Sequence, residues 1–116
     1  MSYIQGFLVA VPKANKQAYI ESAQRAAPIF KEYGATRMME TWSEDLPDGK
    51  ITDFKRSVQA KPDEAICFSW LEWPDKATFD AAAQKMETDP RWKTMPEMPF
   101  DATRMVWGGF EPIFEN

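Results

Sequence analysis

Residues 65–73 read AICFSWLEW. Ile66, Phe68 and Trp70 occupy one parity of this stretch, and Cys67 and Leu71 the other. Nine residues, most of them apolar, with bulk on both parities predict a strand that is covered on both faces. The turn sequence AKPDE (60–64) precedes it. After it, Asp75 is placed to cap a helix running to about Thr88, with Phe79, Ala82, Ala83 and Met86 on one side. Asp89-Pro90 stops that helix, because the residue before a proline is driven out of helical geometry. RWKTMPEMPFD (91–101) reads as an irregular connection with one helical turn. RMVWGGFEPIF (104–114) reads as a last strand, whose Gly108-Gly109 pair marks a bulge or a close backbone approach.

The first half repeats this logic. YIQGFLVAV (3–11) is a second doubly apolar strand, ended by Pro12. Asn15 is the expected N-cap of a helix to Tyr33, with Tyr19, Ala23, Ala26, Phe30 and Tyr33 forming one apolar stripe. Pro28 is expected to kink it, and Gly34 to supply the left-handed C-cap. TRMMETWSED (36–45) and ITDFKRSV (51–58) read as two further strands joined by the turn LPDGK (46–50). The whole chain is then one α+β domain, residues 1–116. It is a ferredoxin-like split β-α-β with an added hairpin and an antiparallel sheet with two helices on one face. The face the helices leave bare carries large apolar side chains, and a second copy of the chain is the expected cover, giving a homodimer.

Composition narrows the chemistry. The chain has five Trp, eight Phe and three Tyr, more large rings than a small core needs, which points to an interface or pocket. A net charge of −4 without a basic patch argues against nucleic acid. The longest apolar run, FLVAV, is far too short to span a membrane, and no signal peptide is evident. The lone Cys67 allows no intramolecular disulfide, so the expected location is cytoplasmic. The chain has no histidine, which removes histidine-based triads, histidine metal sites and histidine-ligated haem. Proton transfer is left to Asp, Glu, Lys, Tyr or Cys, with no metal and no cofactor expected.

Two constellations remain. In the predicted hairpin, Trp42 faces Phe54 and Glu40 faces Arg56. This is either a stabilising cross-strand ion pair beside an aromatic pair or a base, Glu40, beside an anion clamp, Arg56. Glu44, Asp45 and Asp48 lack the spacing of a calcium loop and read as turn residues. In the second constellation, Phe68, Trp70 and Glu72 share a strand face, and Trp107 lies on the last strand. A Glu among Trp rings suits proton transfer, or Glu72 is simply paired within a dimer core. Cys67, mid-strand among apolar residues, reads as an inert buried thiol.

GFLVAVP (6–12), AAPIFKEYGA (26–35), ETWSEDLPDGKITDFKR (40–56), FSWLEWP (68–74), DPR (89–91), MPFD (98–101) and RMVWGGFEPI (104–113) together resemble the YbaA-like family of uncharacterised bacterial proteins, whose domain has no known function. The resemblance implies a dimeric α+β barrel and no established reaction. The expected function is that of a homodimer binding a small organic molecule in an aromatic, carboxylate-containing cleft. Glu40 and Glu72 are the candidate catalytic groups, and Trp42, Phe54, Arg56, Trp70 and Trp107 the candidate ligand-binding ones. The alternatives are a cofactor-independent monooxygenase- or isomerase-like enzyme with a Glu base, and a purely structural dimer.

Overall fold

In the computed structural model, which describes residues 2–116, the chain forms a four-stranded antiparallel sheet. Its strands are β1 (Tyr3–Pro12), β2 (Arg37–Met39), β3 (Glu64–Trp73) and β4 (Val106–Phe110). The helices are α1 (Lys16–Glu32), the one-turn α2 (Phe54–Ser57) and α3 (Lys76–Thr88). The strand order is β2-β3-β1-β4, so the two long apolar strands lie in the centre, as the split β-α-β reading requires.

Register settles which residues share a face. Val9 pairs with Cys67, Phe7 with Ser69, Gln5 with Leu71 and Tyr3 with Trp73. These odd-numbered positions face α1 and α3, where Ile29, Tyr33, Leu71, Trp73 and Ala82 make a buried cluster. Phe79 of α3 packs its ring against both Tyr3 (5.1 Å) and Trp73 (5.8 Å). The even-numbered positions Ile4, Leu8, Phe68, Trp70, Val106 and Phe110 form the opposite face, with Phe68 at 49%, Val106 at 47% and Phe110 at 60% exposure. Half-exposed apolar side chains spread across one face of a sheet are the surface that an apolar partner would cover.

The helix ends follow local chemistry. Asp75 accepts a hydrogen bond from the Thr78 amide at 2.7 Å, the expected cap. Gly34 adopts φ +113°, and a Cβ there would lie 2.7 Å from Thr78 Cγ2, so two constraints exclude other residues. Asn15 stands at the start of α1 but does not cap it. Its Nδ2 instead donates to the Pro99 carbonyl at 2.9 Å, tying the 90–105 connection to the helix. Helix α1 continues through Pro28 without a break.

The hairpin is the main correction. Only Arg37–Met39 of the predicted strand 36–45 pairs with β3, and residues 51–58 are not a strand. Asp53 accepts from the Arg56 amide at 2.8 Å and starts α2 in the middle of the supposed second strand. The Arg56 guanidinium then closes the loop on itself, donating to Asp53 and to the carbonyls of Ile51 and Gly49. A side chain that satisfies its neighbours' backbone groups locally removes the incentive to pair across a ladder. Val58 anchors the far end by inserting beside Ala10 and Ile66. The expected bulge at Gly108-Gly109 is also absent: the β1–β4 register is continuous from Leu8–Val106 to Ile4–Phe110. Close approach is the reason for glycine here, because a Cβ on Gly109 would fall 2.0 Å from the Tyr3 hydroxyl.

The loop yields a pH prediction. The amide of Arg56, then its guanidinium, holds the Asp53 carboxyl down to about 2. A depressed carboxyl contributes stability that is complete above its ordinary value near 4 and lost as the pH falls towards 2. Asp53→Asn is therefore expected to be less stable at neutral pH and to show a shallower loss of stability between about pH 4 and 2. Denaturant titrations across that window measure it; parallel pH profiles for the two proteins would refute the assignment.

Candidate functional site

Between the helix-facing side of the sheet, α1 and the connection 90–105 lies a cleft of about 480 Å³. This connection contains two short turns of tighter helix, Pro90–Thr94 and Ala102–Arg104. Its prolines, Pro96 and Pro99, do not continue a helix, and the chain lies over the sheet and supplies Trp92, Met95 and Phe100 to the cleft wall. Phe7 from β1 and Phe30 from α1 complete the apolar lining. Trp92 is fixed by its ring contact with Phe30 (5.2 Å) and by donating its indole N–H to the Tyr33 hydroxyl at 3.0 Å. Tyr33 in turn donates to Asp89 at 2.6 Å.

One polar cluster interrupts this lining. Glu40, immediately after β2, accepts through Oε1 from the Tyr19 hydroxyl at 2.6 Å and from the Ser69 hydroxyl. Tyr19 and Ser69 are buried, at 7% and 3% exposure, whereas Glu40 is exposed and borders the cleft. Oε2 makes no hydrogen bond, and Glu40 takes part in no ion pair, among the described residues. Burial, then the charge and hydrogen bond of Glu40, push the Tyr19 hydroxyl far above its ordinary range, so it stays a proton donor. Burial, then the same charge, push the Cys67 thiol up to about 12. A protonated, fully buried thiol is a packing residue, in agreement with its expected inertness.

The other candidate residues do not converge on this point. Arg56 is consumed by its own loop, so the expected Glu40–Arg56 and Trp42–Phe54 facing pairs do not form. Trp42 borders a separate polar groove and lies beneath the Lys16 ammonium, 5.4 Å from the ring centroid. Glu72 accepts from the Trp70 indole at 3.0 Å and stands 3.9 Å from Arg37, a pairing within the ladder. Phe54 packs edge-on to Phe68 (6.1 Å), and Phe68 to Trp70 (5.8 Å). Trp70 borders both the cleft and a shallow apolar groove of about 580 Å³ on the open sheet face. Trp107 also borders that groove, although its pairing with Phe7 gives it the helix-facing parity of the sheet. Asp48, one of the turn carboxylates, pairs with Lys55.

Sequence reasoning missed Tyr19 and Ser69 as partners of Glu40. Tyr19 was one member of an apolar stripe, and its hydroxyl gave no separate signal. Ser69 did give one. Along Ala65, Cys67, Ser69, Leu71 and Trp73 it is the only hydroxyl in a row that is otherwise buried and apolar. A hydroxyl buried at such a position needs a partner.

Known proteins place the chain as follows. The model of a family described as "Protein of unknown function (DUF1428)" matches residues 2–102. The uncharacterised protein YbaA of Escherichia coli K12 is 54% identical over 117 residues, covering all of both chains, and that of Shigella flexneri matches equally. Among solved structures, a dimeric ferredoxin-like protein from an uncultured marine organism superposes with a TM-score of 0.59 at 14% identity, again over the full length of both chains. The fold is thus ferredoxin-like, as its strand order indicates. With its full-length similarity to YbaA, the chain belongs to the DUF1428 family of proteins of unknown function.

Proposed function

We propose that the protein is a cytoplasmic homodimer that binds a small organic molecule in the cleft beside Glu40. The observation that carries this reading is a cleft of about 480 Å³, walled by aromatic and methionine side chains, with one oriented carboxylate at its edge. Small-molecule sites have this volume and this composition, mostly apolar with a few placed polar groups. The homodimer rests on the half-exposed rings of the open sheet face and on the dimeric state of the ferredoxin-like relative. The lone thiol, which needs no oxidising compartment, supports a cytoplasmic location, and no helix among the described residues is long and apolar enough to cross a membrane. Of the two candidate bases, Glu40 borders the cleft while Glu72 is paired within the sheet, so any proton transfer is assigned to Glu40.

The neutral fluorophore N-phenyl-1-naphthylamine tests the cleft. It is expected to bind saturably, once per protomer, and Ala26→Trp, which places an indole in the cleft from α1, is expected to abolish the signal. Undiminished binding in a folded Ala26→Trp protein would refute the location.

A further inference from the structure

We infer that the occupant of the cleft is an organic cation: a protonated amine carried on an apolar, preferably aromatic, body. The inference rests on the cleft being a binding site and adds the ligand's charge. The Glu40 carboxylate is held in one orientation by two buried hydroxyls that both use Oε1, leaving Oε2 for an incoming donor. It has no cationic side chain as counter-ion among the described residues. An ammonium group supplies both the missing charge and the missing donor, and charge-assisted hydrogen bonds of this type are about twice as strong as neutral ones.

The aromatic lining acts in the same sense. The ring of Tyr19, whose hydroxyl binds Glu40, packs edge-on to Phe100 at 5.8 Å, and both line the cleft. Aromatic rings thus line the same cleft as the carboxylate, and a cation within about 6 Å of a ring face is attracted by its quadrupole. An anion meets the opposite situation. It would approach the charge of Glu40, and the nearest buried hydroxyl donors, on Tyr19 and Ser69, are already spent. Arg25 and Glu97, the remaining charged residues on the cleft border, are both exposed and of opposite sign, so they give it no net charge. A neutral alcohol can donate to Oε2, a bond that the carboxylate charge also strengthens, but it brings no charge of its own to pair with Glu40 or to meet the rings.

Calorimetric titration of the full chain near neutral pH and at low salt, with three indole probes of similar shape, separates these cases. Tryptamine is the cation, tryptophol the neutral alcohol and indole-3-propionate the anion. Tryptamine is expected to bind one per protomer, about tenfold more tightly than tryptophol, with indole-3-propionate weakest. Glu40→Gln keeps the hydrogen-bonding shape without the charge and is expected to bring tryptamine and tryptophol to nearly equal affinity. Equal or tighter binding of tryptophol or indole-3-propionate to the unaltered protein would overturn the inference, as would a cation preference that survives in Glu40→Gln. Should that variant not fold, the ranking on the unaltered protein decides alone. Saturable binding of N-phenyl-1-naphthylamine without any cation preference would overturn this inference and leave the cleft as a binding site. No binding of any probe would overturn both.

Discussion

Phe68→Glu is expected to turn the proposed homodimer into a monomer, with the sedimentation mass falling to that of one chain. Phe68 lies in the middle of the open sheet face, with the rings of Phe54 and Trp70 on either side of it. It is 49% exposed in the protomer, so the substitution removes little from the core beneath. In a sheet-to-sheet dimer the same position is enclosed, and two-fold symmetry places two such carboxylates in one apolar interface. An unpaired buried charge costs several kcal/mol, which corresponds to about three decades or more in the dimer dissociation constant. The helix-facing core is untouched, so the far-ultraviolet circular dichroism is expected to keep its shape. A Phe68→Glu protein that still sediments as a dimer would refute this face as the interface.

Trp73→Ala is expected to be the most destabilising single truncation on the other face. Trp73 is fully buried where β3 meets α3, within the cluster of Ile29, Tyr33, Leu71 and Ala82 and edge-on to Phe79. Truncating a buried Trp to Ala costs about 3–5 kcal/mol through lost transfer energy and the cavity left behind. For a domain of this size, that lowers the melting temperature by roughly 12–20 °C. The Trp73 indole N–H has no hydrogen-bond partner among the described residues, so its contribution is one of shape and area. Trp73→Phe is accordingly expected to cost less than half as much as Trp73→Ala. Similar melting temperatures for the two variants would show that the N–H has a partner or that the ring is not a packing keystone.

The long elements were legible in the chain because each carries its own signal. Residues 65–73 and 3–11 have bulk on both parities, and they became the two central strands. Helices α1 and α3 carry apolar stripes, and Asp75 and Gly34 mark their ends by chemistry within a few residues. The segment 40–58 failed for a physical reason. Its turn residues and its alternating pattern suited a hairpin, but Ile51 is 92% exposed and contributes no burial to a second strand. The capping of α2 by Asp53 and the wrapping of Arg56 satisfy the same backbone groups at shorter range.

The candidate site divides in the same way. Glu40 stood out as a carboxylate beside aromatic residues, yet the neighbours expected for it came from the hairpin that does not form. Its actual partners lie 21 positions before it and 29 after it in the chain, on α1 and β3. Nothing in the local pattern connects such positions, because side chains so far apart in sequence meet only when helix and strand pack with one register. The sequence by itself determined the alternation of the long strands and helices, the two-faced apolar sheet and the exclusion of histidine chemistry, since periodicity, capping and composition act locally. Only the tertiary structure decided that Arg56 is spent on its own loop, that Glu72 is paired within the sheet and that Glu40 borders a cleft between Tyr19 and Ser69. Those outcomes depend on which distant groups packing brings within hydrogen-bond distance.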